Sequence, residues 1–281
     1  MPATRREFLR AIVLGVPLLK FSAAASEGIL ELPPPPGGEK ISYDTGEFHF
    51  GELRVPPGHG PHPAAIVIHG GYWRAAYGLT HIGHLCAALT KAGVATWSLE
   101  YRRVGNPGGG WPGTFDDIRT GASHLRQIAA SKKIDLKRVI ATGHSAGGHL
   151  VLWLARQAAL ELRGVVPLAP VADLRRAFEL RLGNSAVADL LGGSPTEWPD
   201  RYAAASPPDL LPLKTRQRLL HGLADNIVPI SLSRSYVAAA RAKGDDATLR
   251  ELRGAGHFEV IDPRSEAWPA VRDAVLELLA A

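Results

Sequence analysis

The pentapeptide Gly143-His144-Ser145-Ala146-Gly147 is the feature that most restricts how this 281-residue chain can fold. A short apolar run, 138–142, precedes it, and a long apolar stretch of helical spacing, 145–160, follows it. The pattern predicts a strand that turns sharply into a helix, with the serine at the turn. Such a turn leaves no room for side chains two residues before and after the serine, which explains the glycines at positions 143 and 147.

A serine at this turn lies at the N-terminus of the following helix, where the helix dipole favours negative charge. The tight backbone also presents the hydroxyl at the end of the sheet. Ser145 is therefore a candidate nucleophile for acyl transfer. A plain glycine-serine turn is the alternative interpretation, and the flanking strand and helix argue against it.

Strands and helices alternate along the rest of the chain. Strands are predicted at residues 48–55, 64–68, 94–99, 138–142, 164–168, 218–220 and 248–252. Helices are predicted at residues 79–92, 115–130, 145–160, 230–243 and 265–280. This alternation predicts an α/β fold with a mostly parallel, doubly wound sheet. Residues 173–213 interrupt it and are expected to form a small cap insertion over the carboxyl ends of the strands, where ligands bind in such sheets.

Two further residues in loops after late strands complete a catalytic pattern. Asp225 follows the strand at 218–220, and His257 follows the strand at 248–252. His257 would take the proton of Ser145, and Asp225 would hold the imidazole in the required tautomer. The order serine, aspartate, histidine is the one found in serine hydrolases built on such sheets. Asp173 is a competing candidate for the acid.

The sequence His69-Gly70-Gly71 directly follows the buried strand at 64–68. Acyl transfer builds negative charge on a carbonyl oxygen, and backbone N–H groups that point at this oxygen stabilise it. We expect the N–H groups of Gly70, Gly71 and Ala146 to form such an oxyanion hole. The residues expected to line a substrate pocket are Tyr72, Trp73, Trp111, His144 and Trp198. Plain packing is the alternative interpretation for each of the aromatic residues.

Other motifs do not indicate a cofactor. His81 and His84 have a spacing that could hold a metal ion, but one helical face without an acidic partner is the simpler interpretation. Gly108-Gly109-Gly110 lacks the lysine and hydroxyl residue of a phosphate-binding loop. The single cysteine, Cys86, excludes an intramolecular disulfide and is expected to be a buried helical residue. We expect no cofactor and no metal.

The first 25 residues have the layout of a bacterial export signal. The pair Arg5-Arg6 precedes a mildly apolar stretch and a run of small residues, with expected cleavage after Ala25. This order predicts export by the twin-arginine route, to the periplasm or the exterior. Residues 26–40 contain four consecutive prolines and are expected to form an extended spacer before a catalytic domain at 41–281.

The net charge of +5 gives little support for a nucleic-acid partner, because the first 25 residues alone contribute +3. No apolar run approaches the roughly 20 residues of an ordinary membrane-spanning helix. The expected partner is a small-molecule ester. Its acyl and alcohol parts and the oligomeric state of the chain stay open.

Taken together, these motifs resemble those of the α/β-hydrolase superfamily over about residues 40–281. His69-Gly70-Gly71 is similar to the oxyanion motif of esterases and lipases. The sequences Tyr101-Arg102, Trp111-Pro112 and Asp116-Asp117 are similar to a stretch of the hormone-sensitive-lipase-like branch. That branch usually has a third glycine and an acidic residue where this chain has Tyr72 and His144.

The segments 69–73 and 143–147 together are more similar to kynurenine formamidases and to bacterial acetyl and feruloyl esterases. The resemblance implies the α/β-hydrolase fold and a serine hydrolase without a cofactor. Those formamidases are intracellular, so the export signal favours cleavage of carboxylic esters through an acyl-enzyme. Hydrolysis of an aryl formamide is the first alternative. A non-catalytic binding module on the same fold is the second, and the complete set of motifs argues against it.

Overall fold

The computed structural model describes residues 27–157 and 159–280. Within them, eight strands form one sheet. They are β1 (Glu39–Ser42), β2 (Phe50–Arg54), β3 (His62–Ile68), β4 (Ala95–Leu99), β5 (Ile134–His144), β6 (Gly164–Leu168), β7 (Arg216–Gly222) and β8 (Ala247–Leu252). The spatial order is β1-β2-β4-β3-β5-β6-β7-β8. Strand β2 is antiparallel to both of its neighbours. The other six strands, from β4 to β8 in this spatial order and including β3, are parallel to one another.

Helices cover both faces of this sheet. They are α1 (Glu27–Glu31), α2 (Gly83–Lys91), α3 (Gly113–Ile128), α4 (Ala146–Arg156), α5 (Leu174–Glu179), α6 (Leu182–Leu191), α7 (Pro199–Ala205), α8 (Ser231–Ala242) and α9 (Trp268–Ala280). Helices α3, α4 and α8 pack in one apolar core, and α2 and α9 pack in a second. The predicted doubly wound α/β fold is confirmed.

Strand β3 explains why the sheet needs helices on both sides. Ile66 and Ile68 enter the core with α4, whereas Ala65 and Val67 enter the core with α2. All four side chains are fully buried. Successive residues of a strand point to opposite faces, so a continuous apolar run is stable only when both faces are covered. Each isoleucine buried in this way contributes about 1.5–3 kcal/mol.

The observed bounds differ from the predicted ones where burial is incomplete. Strand β5 begins at Ile134, four residues before the predicted start. Its first residues are partly exposed and form no apolar run, so the sequence pattern did not indicate a strand there. Helix α4 ends at Arg156 because Gln157 is extended. Strand β1 has no predicted counterpart: it is an edge strand in which only Ile41 is partly buried, so no alternation of polar and apolar residues marks it.

The segment between β6 and β7 forms the cap. Helices α5, α6 and α7 lie where the insertion at 173–213 is predicted. Two side chains of α4 hold this cap on the domain. The Trp153 indole donates to the Ala204 carbonyl (3.1 Å), and the His149 imidazole donates through Nε2 to the Ala205 carbonyl (3.0 Å).

The predicted export signal at residues 1–25 lies outside the described residues. Part of the predicted extended spacer is different from expectation, because Glu27–Glu31 form α1 and the side chain of Ile29 is buried. Burial of this side chain anchors the segment on the domain. In residues 27–157 and 159–280, no helix combines the length and the apolar character needed to span a bilayer.

Candidate active site

The candidate nucleophile Ser145 lies where β5 ends and α4 begins. Its backbone has φ 58° and ψ −118°, a region that residues with a side chain rarely adopt. Hydrogen bonds hold this conformation from both sides. The Ser145 N–H donates to the Leu168 carbonyl (2.8 Å), and the Ser145 carbonyl accepts from the N–H groups of His149 (3.1 Å) and Val171 (3.2 Å).

The two glycines of the pentapeptide are required by close backbone contacts, as predicted. A Cβ atom on Gly143 would lie 2.5 Å from the Gly147 carbonyl oxygen. A Cβ atom on Gly147 would lie 2.1 Å from the Ile68 carbonyl oxygen at the end of β3. Both distances are shorter than real carbon–oxygen contacts, so only glycine lets strand, turn and helix approach this closely.

The structure brings His257 and Asp225 together. His257 Nδ1 donates to Asp225 Oδ2 over 2.7 Å, and Asp225 Oδ1 accepts from the N–H groups of Ile227 (2.9 Å) and Val228 (2.8 Å). Because the proton of the neutral imidazole is on Nδ1, Nε2 carries a lone pair that can accept a proton. In the part of the chain that the structure describes, Nε2 of His257 has no hydrogen-bond partner.

Asp225 is ionised in this setting. Burial opposes its charge, but the polar contacts from His221 and His257 outweigh burial and hold the pKa of Asp225 far below its ordinary value. The competing candidate Asp173 has another role: its side chain accepts from the Arg176 N–H (3.0 Å) and caps α5. The carboxylate next to the histidine is therefore that of Asp225.

A second histidine contacts the same carboxylate. His221, the penultimate residue of β7, places Nε2 3.1 Å from Asp225 Oδ2 and 2.9 Å from the Val228 carbonyl oxygen. Its Nδ1 accepts from the Ser233 hydroxyl (2.8 Å). Reasoning from sequence missed His221 and Ser233. A signal was present, because His221 stands at the carboxyl end of a strand four residues before the acid.

His144 occupies a different place from the predicted pocket wall. Its ring is fully buried, and both of its nitrogens are engaged. Nε2 donates to the His257 carbonyl (2.8 Å), so Nδ1 is unprotonated and accepts from His81 Nε2 (2.8 Å). Burial lowers the pKa of His81 to about 3 and that of His144 well below its ordinary value, so both rings are neutral. The two rings hold the backbone that carries His257.

The expected oxyanion loop lies against the candidate nucleophile. A Cβ atom on Gly70 would lie 3.1 Å from Ser145 Cβ, and Gly71 has a φ of +105° that favours glycine. Among the described residues, the N–H groups of Gly70, Gly71 and Ala146 donate to no protein acceptor. Free N–H groups beside a nucleophile are what an oxyanion hole requires.

A buried polar network supports this loop. His69 Nε2 lies 3.2 Å from Glu100 Oε1, and Glu100 pairs with Arg103 (3.0 Å). The Tyr101 hydroxyl donates to the His69 carbonyl (3.0 Å), and the two rings are stacked with centroids 4.5 Å apart. Burial opposes the charge of Glu100, but the contacts with His69 and Arg103 lower its pKa. Reasoning from sequence did not identify Glu100 or Arg103, because neither belongs to a recognisable motif.

Tyr72 is the predicted pocket residue that the structure ties to the candidate site. It is half-buried, and its hydroxyl donates to the Ile227 carbonyl (3.4 Å) in the loop that carries Asp225. On the cap, Gly183 packs against the ring, because a Cβ atom there would lie 2.5 Å from it. Tyr72 therefore connects the oxyanion loop, the acid loop and the cap.

The predicted tryptophans are distributed differently. Trp73 is fully buried and packs edge-on against His149, with centroids 5.2 Å apart. Trp111 packs in the same way against Phe115 (5.1 Å). Trp198 is 41% exposed on the cap and stacks on an arginine of α7. The contacts of Trp198 lie within the cap.

No group of three or more histidine, cysteine, aspartate or glutamate side chains is arranged to hold a metal ion in residues 27–157 and 159–280. Cys86 is buried in α2, as predicted, and burial raises the pKa of its thiol to about 11. A strained serine, a histidine with a free Nε2, an ionised aspartate and three free N–H groups can together perform nucleophilic acyl transfer.

Fold and site define the class of this protein. The sheet order, the serine turn after β5, the acid after β7 and the histidine after β8 are those of an α/β-hydrolase. The chain belongs to the BD-FAE family, whose model matches residues 53–239.

Solved structures of esterases share this fold. A truncated form of a carbohydrate esterase from gut microbiota is 23% identical, with a TM-score of 0.76 over 88% of this chain and 98% of that chain. Esterase 2 of Thermogutta terrifontis with bound butyrate is 22% identical, with a TM-score of 0.69 over 87% and 94% of the two chains.

A probable isoprenylcysteine alpha-carbonyl methylesterase, ICME, of Oryza sativa subsp. japonica is 24% identical over 220 residues, which is 71% of this chain. The alignment covers 52% of the rice protein, so the chain spans about half the length of that relative. The comparisons therefore show membership of the BD-FAE family and the α/β-hydrolase fold.

Proposed function

We propose that this chain is a serine carboxylesterase that cleaves short-chain acyl or aryl esters through an acyl-enzyme. The observation that carries the proposal is the Asp225–His257 hydrogen bond, with the His257 ring packed against His144, the residue directly before the strained Ser145 (ring centroids 4.5 Å apart). In this proposal Ser145 is the nucleophile, His257 is the general base and acid, and Asp225 orients the imidazole.

In the first half of the proposed reaction, Ser145 Oγ attacks the ester carbonyl while His257 Nε2 takes the hydroxyl proton. The tetrahedral intermediate places its negative charge on the former carbonyl oxygen, where the N–H groups of Gly70, Gly71 and Ala146 can donate. Collapse of the intermediate breaks the bond to the alcohol oxygen. The proton on His257 goes to the departing alcohol, and the acyl group remains on Ser145.

In the second half, a water molecule attacks the acyl-enzyme. His257 takes one proton of the water and returns it to Ser145 Oγ as the acid departs. Asp225 stays ionised throughout because its pKa is far below neutral, so it stabilises the imidazolium in both halves. The sum is one ester and one water converted to one acid and one alcohol.

The named relatives favour esters over other acyl compounds. Their printed descriptions are a carbohydrate esterase, an esterase with bound butyrate or propionate, and a probable methylesterase. Butyrate and propionate are short acyl groups, in keeping with the proposed substrate class. The similarity of residues 69–73 to kynurenine formamidases keeps an aryl formamide as the alternative substrate.

The test compares hydrolysis of 4-nitrophenyl acetate and N-formylkynurenine by the protein, with Ser145→Ala as the blank. We expect a higher kcat/KM for the acetate and a loss of roughly 10⁴- to 10⁶-fold in kcat for the variant. A large preference for the formamide would reject the ester assignment. Activity above a tenth of wild type in the folded Ser145→Ala protein would reject Ser145 as the nucleophile.

Labelling with a fluorophosphonate separates the enzyme from a non-catalytic binding module on the same fold. One structure of Thermogutta esterase 2 is phosphonylated by sarin, so reagents of this chemistry react with a protein of this fold. We expect a stoichiometric adduct on Ser145, located by mass spectrometry of peptides. Absence of the adduct on folded protein would favour the binding module.

A further inference from the structure

We propose that His221 and Ser233 are positioning residues of the active site, and that they weaken the hold of the Asp225 carboxylate on the protonated His257. The inference rests on the function proposed above. It concerns Asp225 Oδ2, which His221 contacts as well as His257, and it adds a second polar arm to the triad.

The protonation of His221 follows from its neighbours. The Val228 carbonyl and the Asp225 carboxylate can only accept hydrogen bonds, so the proton on this side of the ring is on Nε2. The N–H points mainly at Val228 O (2.9 Å), with Asp225 Oδ2 at 3.1 Å as the second acceptor. In the neutral ring, Nδ1 is then unprotonated and accepts from the Ser233 hydroxyl (2.8 Å).

This arm is fully enclosed. The side chains of His221 and Asp225 have no exposed surface, and Ser233 on α8 is buried as well. Polar contacts are stronger inside a protein than in water, because the surrounding dielectric is lower. A buried N–H so close to a carboxylate oxygen therefore has a real effect on the charge of that carboxylate.

Both oxygens of Asp225 consequently have several donors. Oδ1 accepts two backbone N–H groups, and Oδ2 is shared between the imidazoles of His257 and His221. Each additional donor disperses the negative charge and leaves less attraction for the imidazolium of His257. Loss of the His221 donor should therefore strengthen the attraction between Asp225 and protonated His257. The two backbone donors would still hold the carboxylate in place.

Three other ionisable groups that face the pair carry no charge at neutral pH. They are Tyr72, His81 and His144. Burial raises the pKa of the tyrosine and lowers the pKa of both histidines, so all three are neutral. Glu251 of β8 lies near His221, but it forms a two-point salt bridge with Arg234 (2.7 Å). The buried carboxylate of Glu259 accepts the Gly256 N–H (2.9 Å) beside His257, and the substitutions at His221 leave this carboxylate in place.

The experiment measures kcat/KM for 4-nitrophenyl acetate against pH, because its acid limb reports the pKa of the histidine in the free enzyme. His221→Phe keeps an aromatic ring and removes all three polar contacts, with Asp225, Val228 and Ser233. His221→Gln is the matched variant, because its amide can donate toward Asp225 and Val228 and accept from Ser233. We expect the acid limb to move to higher pH by about half a unit or more in the phenylalanine variant. The glutamine variant should coincide with wild type.

A control variant tests whether the shift of the acid limb results only from lower stability of the fold. Tyr236 donates to Gln217 Oε1 (2.7 Å) across the same contact between α8 and β7, one turn from Ser233. Tyr236→Phe removes one buried hydrogen bond without touching the triad. It should lower the melting temperature and leave the acid limb in place. An unchanged limb in His221→Phe, a downward shift, or equal shifts in the phenylalanine and glutamine variants would each overturn the proposal.

Nuclear magnetic resonance of the wild-type protein with ¹⁵N-labelled histidine gives a readout that requires neither substrate nor a substitution of His221. We expect the His221 ring to be protonated on Nε2 only, with an N–H resonance that moves as His257 titrates. Ser233→Ala, which should alter the Nδ1 shift of His221, assigns the signal. A His221 N–H chemical shift that stays constant while His257 titrates would overturn the proposal. Because no turnover is involved, this result is independent of whether the chain proves to be an esterase.

Discussion

Replacing Gly147 by alanine should nearly abolish activity by separating the two halves of the active site. The added Cβ would lie 2.1 Å from the Ile68 carbonyl oxygen and 2.6 Å from the His69 carbonyl oxygen, both of which are backbone atoms. Since real Cβ contacts are essentially never below 3.0 Å, helix α4 and the end of β3 must move apart by about 1 Å.

That movement occurs between Ser145 and the loop of Gly70 and Gly71. A misplacement of 1 Å at reacting atoms can cost roughly 100-fold in rate, and loss of one oxyanion donor costs a similar factor. We therefore expect kcat to fall by about 100-fold or more. The overpacking should also cost about 1–3 kcal/mol of stability, or several degrees in melting temperature.

Gly83→Ala is the matched control. Gly83 opens α2 with φ −57° and ψ −39°, and its Cβ would meet only Pro35 at an ordinary 3.5 Å. Alanine should raise stability there by about 0.5–1 kcal/mol through helix propensity and leave kcat unchanged. Turnover of 4-nitrophenyl acetate and thermal unfolding by circular dichroism check both variants. A folded Gly147→Ala protein with kcat within threefold of wild type would refute this reasoning.

Two further predictions use the same assays, and a third uses an assay of export. Asp225→Asn should lower kcat by about 10⁴-fold, because an amide favours the wrong tautomer of the catalytic histidine. The same variant should have a lower free energy of unfolding than wild type at pH 7. Because folding lowers the pKa of Asp225, this difference in free energy should become smaller as the pH falls below the ordinary aspartate value of 3.8. An equal difference at pH 3 and pH 7 would contradict this expectation. His81→Leu should lower kcat about tenfold with little change in KM, and His81→Gln, which keeps a donor to His144, should restore it; equal losses in both would argue against positioning. We propose twin-arginine export of the chain, so replacing Arg5 and Arg6 by lysine should retain it in the cytoplasm, and continued export of that variant would reject the proposal.

Strands whose two faces are buried were predictable from the sequence alone. The predicted strand at 164–168 coincides with β6, all five residues of which are buried. The strand at 64–68 lies within β3, which begins two residues earlier, at residues that are only partly buried. Strand β1 was not predictable, because pairing with β2 holds it in place while its side chains remain mostly exposed. Backbone hydrogen bonds between strands do not require particular side chains, so a strand with neither face buried has no characteristic sequence pattern.

At the candidate site, the sequence offered two candidate acids, and the tertiary structure decided between them. Asp173 and Asp225 both follow a strand, and their residue types are identical. Strand order decides between them: β7 lies next to β8, so the loop after β7 meets the loop that carries His257. Asp173 lies at the start of the cap and satisfies an N–H group of α5 instead.

Contiguous residues were enough to specify the serine turn, because its strain and its glycines are properties of five neighbouring positions. The contacts that support the proposed triad are not of this kind. His81, His144 and His257 come from three separated segments, and His221 reaches Ser233 only because α8 packs on β7. Hydrogen bonds between such residues depend on the register of the sheet and on the packing of helices against it. Those contacts are absent from any local pattern and exist only once the chain has folded.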